Sequence, residues 1–115
     1  MLRDDCIFCK IAKGEIPSNK LYEDDDMLII KDLNPQAPVH LLLIPKDHYA
    51  NVCEMNDEQA LALAKCVKKL STLVDELGLQ DGFRLVSNKG ENGCQSVQHL
   101  HIHILGGKHL SDNMG

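Results

Sequence analysis

From residue 56 onward, apolar side chains return at steps of three and four: Ala60, Leu63, Val67, Leu70, Val74 and Leu77. That spacing keeps them on one face of an α-helix. Asn56 fits the N-cap, with Gln59 at the third helical position in a variant of the capping box. Gly78 fits a left-handed stop. The pattern predicts one long helix between these markers, lying over a sheet. The other apolar runs are short. Residues 21–23 and 27–31 read as two strands, with the acidic run 23–26 turning between them. "NPQAP" is a loop, because two prolines do not sit inside a paired strand. "VHLLLIP" (39–45) has strand length and ends at Pro45. "GFRLVSN" (82–88) is the next strand, "KGENGCQS" a glycine-bearing loop, and "HLHIHIL" (99–105) the last strand. Near the start, "CIFCKIAKG" reads as a short helix stopped at Gly14, with Pro17 soon after. The sum is an α+β protein: a five-stranded, mainly antiparallel sheet, one long helix and a short N-terminal helix. The last ten residues read as an irregular tail.

The last strand raises a chemical question. His99, His101 and His103 alternate with Leu100, Ile102 and Ile104, and they are half of the six histidines in the chain. Alternation puts the three imidazoles on one face, about 7 Å apart from neighbour to neighbour. The aliphatic residues point the other way, under the long helix. A plain polar face is a poor account of the row, since histidine is not a favoured strand former. A metal site is a second account, but three alternating histidines rarely converge on one ion. Phosphoryl or nucleotidyl transfer is the third. A neutral imidazole is a good nucleophile, and a protonated neighbour stabilises phosphate oxygens. The loop "NGCQS" just upstream favours it, because a glycine turn and the Ser96 hydroxyl together make an anion nest.

Composition narrows the class. At 115 residues the chain reads as a single domain, 1–115. A net charge of −5 argues against a nucleic-acid surface, which would be basic. No stretch is long enough to span a bilayer, and "MLRDDCIFCK" lacks the apolar core of a signal peptide. A cytoplasmic protein is expected. The five cysteines are an odd number and not a secreted disulfide framework. In a reducing compartment the close pair Cys6 and Cys9 points to metal before a bridge.

Four blocks together resemble a known family. "QSVQHLHIHIL" resembles the histidine triad signature, and "DLNPQAPVHLLLIPKDHY" the family's other hallmark block. "CIFCKIAKGEIPS" and "LVSNKG" also match, in the family's order. The chain is most similar to the branch of histidine triad nucleotide-binding proteins that hydrolyse nucleoside phosphoramidates. The resemblance implies a homodimer with the long helix and "GFRLVSN" at the interface. It implies purine nucleoside monophosphates as ligands and nucleoside 5′-phosphoramidates as substrates. It makes His101 the nucleophile, His103 the phosphate contact and His40 the supporting histidine, with Ser96 in the catalytic set. Asp32 would accept from the ribose hydroxyls, with Leu33 beside the base. Phe8, Ile11 and Ile30 would wall the base. Asn88, Cys94, Gln95 and Ser96 would lie near the phosphate. Cys6, Cys9, His48 and His99 stand where metal-binding relatives hold a structural zinc, and no catalytic metal is required.

Two departures from the family stand out. Cys94 occupies a position where glycine is usual, so a positive φ there would strain it. The tail has no tryptophan to shape a partner's site. The resemblance leaves two other functions in play: a dinucleoside polyphosphate hydrolase and a non-catalytic nucleotide-binding regulator.

Overall fold

The computed structural model describes residues 5–114. Its elements run α1 (Ile7–Ala12), β1 (Lys20–Glu23), β2 (Met27–Lys31), β3 (Val39–Pro45), α2 (Asp57–Leu70), β4 (Phe83–Ser87) and β5 (Ile102–Gly106). The strands form one sheet in the order β1-β2-β3-β5-β4, antiparallel at every pairing. This is the expected α+β architecture.

β2 and β3 are apolar at nearly every position because both faces of the sheet are covered. On one face Met27, Ile29, Leu41, Leu43, Ile102 and Ile104 pack against Cys66, Leu70 and Leu73 from α2 and the turns after it. On the other, Leu28, Ile30, Leu42 and Ile44 pack against Phe8, Cys9 and Ile11 of α1. One short helix thus closes the face that carries the histidines.

α2 begins as expected. Asn56 accepts from the Gln59 amide, and the Gln59 side chain accepts from the Asn56 amide, completing the capping box. Its end differs. The regular helix stops at Leu70, one step before Ser71 and Thr72. Their hydroxyls donate to the carbonyls of Lys68 and Lys69 at 2.6 and 2.7 Å, and their amides make tight bonds to the same two carbonyls. Side chains that compete for backbone carbonyls loosen a helix. The chain continues in turns, and Leu73, Val74 and Leu77 still face the core. Gly78 takes the left-handed conformation, with φ +76°.

β5 also starts later than the pattern predicts, at Ile102. Ahead of it the Leu100 amide donates to the carbonyl of Tyr49 at 2.7 Å, outside the ladder. The alternation survives: Leu100 lies in the α2-side core, while His99 and His101 face Phe8 of α1. No helix among the described residues is long and apolar enough to cross a membrane.

Candidate functional site

The α1-facing side of the sheet gathers five of the six histidines into two adjoining groups. In the first, Asp32 follows β2, His40 lies on β3 and His103 on β5. Pairing of β3 with β5 sets Leu42 opposite His103, so His40 and His103 fall on the same face two residues apart in register. His40 Nε2 is 2.9 Å from His103 Nδ1 and 3.2 Å from Asp32 Oδ2. His103 Nδ1 is 3.8 Å from the same carboxylate oxygen. The His101 ring stands 5.1 Å from that of His103, and the Phe8 ring meets His101 edge-on at 5.0 Å.

The hydrogen on each imidazole follows from its partner, since a carbonyl only accepts and an amide N–H only donates. His101 Nδ1 is 2.8 Å from the carbonyl of His99, so Nδ1 carries the hydrogen and Nε2 the lone pair. The Gln36 amide donates to His40 Nδ1 at 2.9 Å, so the His40 hydrogen is on Nε2, facing His103 and Asp32. Burial, then the neighbouring His101 and His40, pushes the His103 pKa below that of an ordinary histidine; Asp32 acts the other way. The row is thus largely neutral near pH 7 at His103.

The second group is buried beneath α1. Cys6, Cys9, His48 and His99 bring one ligand atom each within 4.8 Å of one another. Cys9 Sγ is 3.2 Å from His48 Nδ1, and both sulfurs are 3.4 Å from His99 Nδ1. His99 donates from Nε2 to the carbonyl of Pro45 at 2.7 Å, which leaves the Nδ1 lone pair aimed at the sulfurs. Full burial pushes its pKa down to about 4. Two thiols and two imidazoles, the second nitrogen of one ring held by a carbonyl, are the donor set of a closed zinc site.

The loop after β4 is locked by its own bonds. Gln95 accepts from the Gly90 amide at 3.1 Å and donates to the carbonyls of Ala50 and Val97 at 2.6 and 3.1 Å. The amides of Cys94 and Gln95 donate to Glu91 and Gly90. Those groups therefore close the loop, and Ser96 is exposed beside them. Cys94 sits at φ +56°, the strained conformation expected where glycine is usual.

Of the residues expected to wall a base, Phe8, Ile11 and Ile30 share one buried cluster. Leu33 is 98% exposed and touches no such wall. Asn88 is half-buried just past β4. Two groups escaped the sequence reading: the Gln36 amide and the Pro45 carbonyl. Both act through the backbone, which carries no residue-type signal.

Comparison with known proteins bears on this geometry. A HIT domain matches residues 13–110. The chain belongs to the HIT domain family. A histidine triad protein from Clostridium difficile has the same fold, with TM-score 0.93 and 47% identity over 99% of this chain and all of the other. A HIT family hydrolase from Legionella pneumophila Philadelphia 1 superposes with TM-score 0.90 and 43% identity, over 96% of this chain and all of the other. A 14 kDa zinc-binding protein of Zea mays is 42% identical over 91% of this chain and 84% of its own length.

Proposed function

We propose that this HIT protein is a hydrolase of purine nucleoside 5′-phosphoramidates that works through a nucleotidyl-His101 intermediate. The observation that carries the reading is the His101 tautomer. Its Nδ1–H is held by the His99 carbonyl, so Nε2 keeps a lone pair for attack. Nε2 forms a bond to the α-phosphorus as the P–N bond to the amine breaks, and the amine leaves with a proton taken from solvent, which the attacking water restores in the next step. Water then attacks the phosphorus, releases the monophosphate and returns His101 to the neutral state. His103 and Ser96 donate to the phosphate oxygens as charge grows there. Asp32 accepts from the ribose hydroxyls, and Phe8, Ile11 and Ile30 hold the base. The hydrolase name of the Legionella relative supports the reaction class.

Cys6, Cys9, His48 and His99 hold a structural zinc in this reading. Zinc there supplies a closed cross-link between α1 and the sheet, and takes no part in the reaction. The Zea mays relative's name supports it. The protein acts as a homodimer. β4 is an edge strand with Phe83 and Leu85 both exposed, at 40% and 37%, an edge that a second copy would cover.

The test mixes the protein with adenosine 5′-phosphoramidate, quenches rapidly and maps the adduct by mass spectrometry. An adenylyl group on His101, and loss of both adduct and turnover in His101→Ala, is expected. An adduct on His99 or His40, or near-parent turnover in the variant, overturns the mechanism. Faster cleavage of a dinucleoside polyphosphate overturns the substrate class.

A further inference from the structure

Asp32, His40 and His103 have the composition of a metal triad, with ligand atoms all within 4.8 Å. Their hydrogens argue against that use. The Gln36 amide occupies the lone pair of His40 Nδ1, so His40 Nε2 is protonated and is no ligand. The three groups share hydrogens instead.

His40 Nε2–H has two acceptors in reach: His103 Nδ1 at 2.9 Å and Asp32 Oδ2 at 3.2 Å. His40 can give that hydrogen to either. In one arrangement, His40 donates to His103 Nδ1, and the His103 hydrogen is on Nε2, ready to donate to a phosphate. In the other, His40 donates to Asp32, and His103 Nδ1, 3.8 Å from that oxygen and out of hydrogen-bond reach of it, loses the donor that fixes its tautomer. The His103 hydrogen is then free to sit on either nitrogen, and with it on Nδ1 the bare Nε2 repels phosphate oxygens. The His103 side chain is 22% exposed, so water exchanges its hydrogen between the two nitrogens with no net change of charge.

We propose that Asp32 couples sugar recognition to the His103 tautomer. The inference rests on the nucleotide reading above. Without ribose the carboxylate competes with His103 Nδ1 for the His40 hydrogen. Its other oxygen is already engaged, since Oδ1 accepts from the Asn34 amide at 2.8 Å. Ribose hydroxyls donating to Asp32 weaken that competition. His40 then gives its hydrogen bond to His103 Nδ1, and the His103 hydrogen is placed on Nε2 toward the phosphate. Asp32 is a positioning residue for His103 as well as a sugar ligand. A nucleotide without the diol would bind yet fail to set the donor.

Nitrogen NMR of the full-length protein with ¹⁵N-labelled histidine reads the tautomer directly. AMP at saturation is expected to raise the Nε2–H to Nδ1–H ratio of His103 about fivefold, the effect of one ordinary net hydrogen bond. Saturating 2′,3′-dideoxyadenosine monophosphate is expected to leave the ligand-free ratio. Asp32→Ala is expected to show the raised ratio with no nucleotide, and so is Asp32→Asn, which keeps an acceptor for the Asn34 amide. Binding of both nucleotides with the same His103 tautomer overturns the coupling alone. So does a parental ratio in the folded variants. If neither nucleotide binds, the nucleotide reading falls and takes the coupling with it.

Discussion

Cys94 offers a clean energetic test, because its cost lies in the backbone. It is the one described non-glycine residue with positive φ, at +56°. The loop cannot relax around it. The Cys94 and Gln95 amides donate to Glu91 and Gly90, both at 3.0 Å, and a Cβ on Gly93 would come within 2.6 Å of the Lys89 carbonyl. The side chain itself is exposed, so its burial contributes little. A left-handed residue with a Cβ costs about 1–2 kcal/mol. Glycine removes that cost but returns about 0.4–1 kcal/mol through a more flexible unfolded chain. Cys94→Gly should therefore stabilise by about 0.8 kcal/mol, a rise of about 4 °C in Tm for a domain of this size. Cys94→Val should destabilise by about 1 kcal/mol, since a β-branched residue fits this region worst. Cys94→Ser keeps the Cβ and should stay within about 0.5 kcal/mol of the parent. Urea denaturation with equal slopes measures all three. A valine variant as stable as the glycine variant would refute the strain.

Other outcomes follow from the packing and the charges. Leu43, fully buried between β2 and β5 and facing α2, should cost about 2–5 kcal/mol on replacement by Ala, read from the urea midpoint. Asn56→Ala removes the accepting half of the capping box and should cost about 1 kcal/mol, whereas Asn56→Ser should recover most of it. His103 has a folded pKa below its unfolded one, so its neutral form is favoured by folding. Stability should be full above about pH 6.5 and fall as acid passes through the folded pKa; a His103→Gln variant with the same acid profile would contradict this. Metal analysis should find about one zinc per chain, and chelation should lower the Tm of the parent but not of Cys9→Ala.

Much of this fold is legible in the sequence because burial leaves simple patterns. The runs in β2 and β3 mark strands covered on both faces, and the alternation from His99 to Ile104 assigns each side chain to a face. The end of α2 is harder to read. Leu73, Val74 and Leu77 continue the helical spacing, yet Ser71 and Thr72 bond to preceding carbonyls and the regular helix stops at Leu70. Apolar period reports which side faces the core, not which carbonyl a hydroxyl captures. The candidate site divides in the same way. Its side chains stand out by type and spacing. Its hydrogen positions do not, since they depend on the Gln36 amide and on the carbonyls of Pro45 and His99.

Those backbone partners explain how one short segment presents three imidazoles in three different ways. The side chains of His99, His101 and His103 are chemically identical and spaced alike. His99 donates from Nε2 and so presents Nδ1 to the two sulfurs, whereas His101 donates from Nδ1 and so presents Nε2. The carbonyl that holds His101 belongs to His99 itself. Fixing His99 beneath α1 therefore also fixes the acceptor that orients His101. A cross-link through Cys6, Cys9 and His48 would tighten both positions. His103 differs again, because its Nδ1 meets a side-chain donor, His40, and not a fixed carbonyl. Its tautomer is the one a ligand could still move.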